Sequence, residues 1–158
     1  MIRIESAETP EFVATIRNLF VEYSESLEVD LCFQGFAEEL AKLPGDYARP
    51  AGRLLLAFQG DEVGGCGALR PLSSDVCEMK RLYVRPAFRG KGAGGAIIDA
   101  LITSAREIGY QRMRLDTLPS MATAIAIYRS LGFREIAPYR PNPVPGALFF
   151  ELDFAKLG

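Results

Sequence analysis

Apolar and polar residues alternate from Ile2 to Ser6, which predicts a short first strand. Thr9-Pro10-Glu11 then supplies a helix start, with proline in the first turn, where its missing N–H is no loss. Phe12, Val13, Ile16, Leu19, Phe20 and Tyr23 recur at spacings of three and four, so the helix carries one apolar stripe to about Leu27. Phe33 to Leu43 repeats the pattern more briefly before Pro44-Gly45 stops it. Arg53 to Gln59 reads as a strand, Gly60-Asp61 as a tight turn and Val63 to Leu69 as the hairpin partner. Gly64, Gly65 and Gly67 in that partner point to a bulge or a crowded backbone. Val76 to Val84 continues the meander as a third strand.

Beyond the polar stretch Arg85 to Lys91 the period becomes helical. Ile97, Ile98, Leu101, Ile102, Ala105 and Ile108 form one stripe, and Gly109 stands where a C-terminal cap is needed. Arg112 to Thr117 is a strand, a helix opened by Ser120 or Thr123 ends at Gly132, and a strand starts over Phe133 to Ile136. A proline-rich loop covers residues 138–145, and Leu148 to Phe154 closes the sheet. The order β-α-α-β-β-β-α-β-α-β-β joins an antiparallel meander to one parallel crossover. The predicted class is α+β, a mixed central sheet flanked by helices, in a single domain over residues 1–158.

With 158 residues and 49% hydrophobic content, the chain suits one core. No apolar run approaches the ~20 residues of a membrane span, and the polar opening lacks the apolar centre of a secretory signal, so a cytoplasmic protein without a membrane partner is expected. Histidine is absent, which removes Ser-His-Asp and Cys-His catalysis and the common zinc and haem sites; no metal is expected. Cys32, Cys66 and Cys77 are odd in number and form no CxxC, so they read as reduced, mostly buried thiols. The net charge is only −2, which argues against a nucleic-acid partner, but residues 78–114 hold 8 Lys/Arg against 3 Asp/Glu. Such a local excess suits a small polyanion.

That basic segment contains Arg85-Pro-Ala-Phe-Arg-Gly-Lys-Gly-Ala-Gly-Gly95, a glycine-rich loop between a strand and a helix. Gly90, Gly92 and Gly94 permit backbone conformations that expose N–H groups, the helix start adds partial positive charge, and Arg89 and Lys91 add full charges. Gly90 to Gly95 also matches the dinucleotide pattern GxGxxG, with Asp116 about 20 residues on. Five residues including Pro86 separate the strand from that glycine, however, and a meander precedes it, which is not how a doubly wound sheet opens. A phosphate loop of the GxxxxGK[ST] kind fails too, because glycine follows Lys91.

Glu78-Met-Lys-Arg-Leu-Tyr-Val84 followed by Arg89-Gly-Lys-Gly-Ala-Gly94 resembles the GNAT superfamily of acetyl-CoA-dependent N-acetyltransferases, whose pyrophosphate loop reads Gln/Arg-x-x-Gly-x-Gly/Ala. Ala124-Ile-Ala-Ile-Tyr-Arg-Ser-Leu-Gly-Phe133 resembles the family's next segment. One departure is Met121, where an asparagine is often found seven residues before the tyrosine. The resemblance implies the acyl-CoA N-acyltransferase fold and transfer of an acetyl group from acetyl-CoA, as co-substrate, to a primary amine of a small molecule or peptide, by direct attack in a ternary complex. It leaves room for a homodimer.

The resemblance also implies roles. Arg89, Gly90, Lys91, Gly92, Ala93 and Gly94 would hold the pyrophosphate. The free backbone edge of Leu82, Tyr83 and Val84 would take the pantetheine, with the N–H near Leu82 aimed at the thioester oxygen. Tyr128 is the candidate acid for the leaving thiolate; as Ala124, Tyr128 and Leu131 share a helix face, it also reads as a core aromatic. Glu78 is the candidate base, or a salt-bridged carboxylate beside Lys80. Glu22, Glu25 and Glu28, with Asp30 beyond them, either draw in a cationic amine or form a solvated face. The loop from Tyr139 to Gly146 is a rigid surface turn or a wall of the acceptor pocket, where Arg140 and Asn142 suit the carboxylate of an amino-acid-like acceptor. A non-catalytic acyl-CoA sensor and a dinucleotide-binding oxidoreductase are the rival readings.

Overall fold

The computed structural model describes residues 1–27 and 35–157. Among them run β1 (Ile2–Ser6), α1 (Pro10–Ser26), α2 (Phe36–Lys42), β2 (Arg53–Gln59), β3 (Glu62–Pro71), β4 (Val76–Val84), α3 (Ala93–Ile108), β5 (Arg112–Thr117), α4 (Ala122–Ser130), β6 (Arg134–Ile136) and β7 (Leu148–Asp153). The cap of α1 is Thr9, whose side chain accepts the Phe12 N–H at 3.1 Å. α2 is shorter than the pattern suggested, and its expected start at Phe33 lies outside the described residues, as does Cys32. α4 begins after Met121, without a side-chain cap from Ser120 or Thr123. No helix among the described residues is long and apolar enough to cross a membrane.

The strands form one sheet in the order β1-β2-β3-β4-β5-β7-β6. All neighbours are antiparallel except β4 and β5, which α3 connects as a parallel crossover. β2 is apolar on both faces because helices cover both. Leu55 and Ala57 pack with Ile97, Ile98 and Leu101 of α3. Leu54, Leu56 and Phe58 pack with Ile16, Leu19 and Phe20 of α1. Cys66 and Cys77 are buried and free, and burial raises both thiols, Cys77 to about 12, which leaves them inert.

On the α1 side the sheet turns polar toward β7. Arg70, Glu78, Arg114 and Glu151 stand opposite one another on β3, β4, β5 and β7, so charge alternates across four strands. Cross-strand pairs of this kind stabilise the sheet where no apolar face is available.

Two close approaches shape the middle of the sheet. Arg81 and Leu82 together face Gly67, a bulge that leaves Arg81 at φ 59°. A left-handed arginine is strained by about 1 kcal/mol or more. Glu39 of α2 holds it there, accepting from Nε at 3.0 Å and Nη2 at 2.9 Å, while Phe36 lies under the guanidinium at 5.1 Å. Gly65 lies so close to β4 that a Cβ would meet the Tyr83 carbonyl oxygen at 2.5 Å. Gly65→Ala is therefore expected to cost about 2 kcal/mol, seen as a fall of about 5 °C in thermal denaturation.

Candidate active site

β4 and β5 pair at only three positions, Val76–Arg112, Cys77–Met113 and Glu78–Arg114. Beyond these, β4 stays with β3 as far as Val84 and β5 stays with β7 as far as Thr117, so the parallel strands part. A cleft with about 590 Å³ of empty space, its open mouth included, fills the gap. Tyr23 of α1, Lys80 and Leu82 of β4, Asp116 of β5, Tyr128 of α4 and Asn142 line it. Backbone N–H and C=O groups at such a parting need partners, of the kind an extended amide-bearing chain can supply.

The glycine-rich loop follows the C-terminal end of β4, past the point where that strand parts from β5. The Arg89 Nε donates to the Val84 carbonyl at 3.1 Å, tying the loop to the strand. Gly90 and Gly92 take φ 79° and 86° with open space around them, and no side chain caps α3 after Gly92. The first N–H groups of α3, at Ala93 and Gly94, thus face an opening beside the exposed Arg89 and Lys91. These donors fit a diphosphate. Gly94 sits between Val84 and Ile127, which seats the loop between the parting strand and α4.

Tyr128 is a core aromatic whose ring also borders the cleft. Its ring packs at 5.4 Å from Phe133 and 6.2 Å from Phe150. Burial raises its phenol well above the usual value, so the group stays protonated.

Glu78 is fully buried. One oxygen accepts from Arg70 at 2.9 Å, and the other takes the Tyr139 hydroxyl at 2.6 Å and the Arg140 guanidinium. Burial alone would raise this carboxyl; Lys80, Tyr139, Arg70 and Arg140 outweigh it and hold the group below its usual range. Of the acidic run on α1, Glu22 is taken by Arg85 at 2.6 Å and by Tyr83, and Glu25 is exposed. Glu28 and Asp30 lie outside the described residues.

Sequence reasoning missed the pairing of Lys80 with Asp116, whose Nζ and Oδ1 are 3.7 Å apart inside the cleft. Burial, opposed by Glu78 and Asp116, lowers the Lys80 amine to about 8. Asn142 donates to the other oxygen of Asp116 at 3.2 Å, so the loop after β6 closes over the same face. The alternation that puts Lys80 on the side of Glu78 was available in the sequence; the partner on β5 was not.

The fold is that of the acyl-CoA N-acyltransferase class. The chain belongs to the Acetyltransferase (GNAT) family, which it matches over residues 13–133. It is 36% identical to an N-acetyltransferase of Schizosaccharomyces pombe, over 98% of this chain and 96% of that one. An N-acetyltransferase of Dictyostelium discoideum is 31% identical over 89% and 93%. A GNAT-family acetyltransferase structure from Staphylococcus aureus superposes with a TM-score of 0.78 at 19% identity, covering 97% of this chain and 99% of that one.

A buried lysine titrating near 8 instead of its ordinary 10.5 makes the folded state bind fewer protons than the unfolded one between those values. Stability owed to Lys80 therefore rises with pH in that window, by about 2 kcal/mol from pH 8 to pH 10. Urea denaturation of wild type and Lys80→Met across this range should show the gap moving in favour of wild type by that amount.

Proposed function

We propose that the chain transfers the acetyl group of acetyl-CoA to the primary amine of a small molecule or peptide, by direct attack. The observation that carries this reading is the parting of β4 from β5, with the uncapped, glycine-rich start of α3 following the parted end of β4. Arg89 to Gly94 would hold the pyrophosphate, and the unpaired edge of Leu82 to Val84 the pantetheine. Acetyl-CoA supplies an activated thioester; this chain's residues bind it, orient the amine and handle protons.

The bulge at Arg81 and Leu82 leaves backbone outside the β3–β4 ladder, and the Leu82 N–H is proposed to donate to the thioester oxygen as negative charge develops there. Attack forms the C–N bond and breaks the C–S bond, leaving a thiolate. Tyr128 is the proposed donor to that sulfur. Because burial raises the phenol, its contribution is a hydrogen bond more than full proton transfer.

The amine must attack as the free base. Glu78 suits a positioning role better than that of a base, since Lys80, Tyr139 and two guanidiniums already stabilise its charged form. Of the two cations that line the cleft, Lys80 is the closer to neutrality, and it is proposed to receive the amine's proton beside Asp116.

Tyr128→Phe should lower kcat about tenfold to a hundredfold while acetyl-CoA affinity, measured by calorimetry, barely changes. Full turnover in this variant would remove Tyr128 from the chemistry. Glu78→Gln separates the two readings of that residue through the pH dependence of kcat. With Lys80 as the acceptor, the alkaline rise persists in the variant and moves to lower pH, because Glu78 raises the Lys80 amine. Loss of the rise would instead make Glu78 the base.

A further inference from the structure

We infer that the acceptor amine carries a carboxylate, and that Arg140 binds it. This rests on the acetyl-transfer reading and names the class of acceptor.

The inference starts from how charges are shared on the polar face of the sheet. Arg81 is matched by Glu39, Lys80 by Asp116, and Arg114 by Glu151. Arg70 and Arg140 have one carboxylate between them, that of Glu78. Both Arg70 contacts go to one oxygen at 2.9 Å, while Arg140 shares the second oxygen with the Tyr139 hydroxyl. The group of two guanidiniums and one carboxylate thus keeps one net positive charge in a site only partly open to water.

Arg140 is the member with capacity left. Its guanidinium rests 5.1 Å from the Tyr139 ring centre, and its Nε is buried with no hydrogen-bond partner. A buried donor on a charged group costs free energy until an acceptor arrives. A buried donor lacking an acceptor, beside one surplus positive charge, calls for an anion with acceptor oxygens. The planar fork of a guanidinium matches a carboxylate best.

The location connects this anion to the reaction. Glu78 is the last residue of β4 paired with β5 and precedes Met79, the first β4 residue that lines the cleft, so its guanidiniums lie beside the point where the strands part. Leu82 lies four residues on, about 13 Å along an extended strand and less across a bulge. An amine held by its carboxylate at Arg140 would extend along Lys80 and Asp116 toward Leu82 and Tyr128. An acceptor too short to span that distance cannot make both contacts.

The test compares aliphatic ω-amino acids of increasing length with their amides and with phosphonate analogues of equal length, following thiol release. Wild type is expected to favour the acid over its amide at least tenfold in kcat/KM, mainly through KM, with the preference growing at the longer chains. In Arg140→Ala, and in Arg140→Gln should the first variant fold poorly, the ratio should collapse toward one while KM for acetyl-CoA holds. Equal use of acid and amide, preference for the phosphonate, or an unchanged ratio in both variants overturns the inference and leaves acetyl transfer standing. If no amine releases thiol, acetyl transfer itself fails. Calorimetry with the unreactive alkanoates in the presence of CoA then decides the anion site: heat that disappears in Arg140→Gln supports it, and no heat with wild type overturns it.

Discussion

β4 and β5 cannot remain hydrogen-bonded beyond Glu78 and Arg114, and the site exists because of it. A parallel ladder normally continues as long as both strands do, since each unpaired N–H or C=O away from water is costly. Here β4 runs on for six residues with β3 as its partner, and β5 for three with β7. The bulge at Arg81 bends β4 away. The price of the bulge is a strained arginine, and the Glu39 carboxylate on α2 secures it. A helix on one side of the sheet thereby stabilises an opening between two strands.

Charge does on the open half of the sheet what packing does on the other. The face covered by α1 holds leucine and phenylalanine, whereas the face of β3, β4, β5 and β7 toward the cleft alternates arginine and glutamate in consecutive registers. Glu78 is its centre, joining Arg70 of β3 to Tyr139 and Arg140 of the loop after β6. Removing one partner from such a buried group costs more than the pair contributes, so the loop is held in place by the same carboxylate that closes the cleft.

Much of this fold was legible in the sequence, because β2 is a continuous apolar run, β5 alternates, and α3 keeps one long apolar stripe. The loop Arg89 to Gly94 was legible as a break between strand and helix because glycines end both periods, and the structure puts left-handed backbone at Gly90 and Gly92. The edges of elements were less so. The start of α4 was placed at Ser120 or Thr123 by capping preference, but neither side chain caps it. For Glu78, sequence position offered a base or a salt bridge, and distinguishing them required Arg70, Tyr139 and Arg140, which lie 8, 61 and 62 residues away in the chain. No local pattern carries contacts of that range. The left-handed backbone of Arg81 had no signal at all, since nothing about an arginine suggests it.

The same burial acts in opposite directions on the two cleft groups proposed to handle protons. Removing water penalises whichever form is charged, so the Tyr128 phenol rises and the Lys80 amine falls. Each is pushed toward neutrality. A neutral phenol is a donor and a neutral amine is an acceptor, so a single property, exclusion of water between the parted strands, sets both for acyl transfer to an amine. Their difference in environment refines the result: Tyr128 stands among Phe133 and Phe150, with only Tyr23 adding to the effect of burial, whereas Lys80 has Asp116 and Glu78 to draw its value back up toward the working range. Without those carboxylates, Lys80 would be neutral at lower pH but a weaker base. The buried carboxylates therefore tune the lysine as well as hold the sheet together.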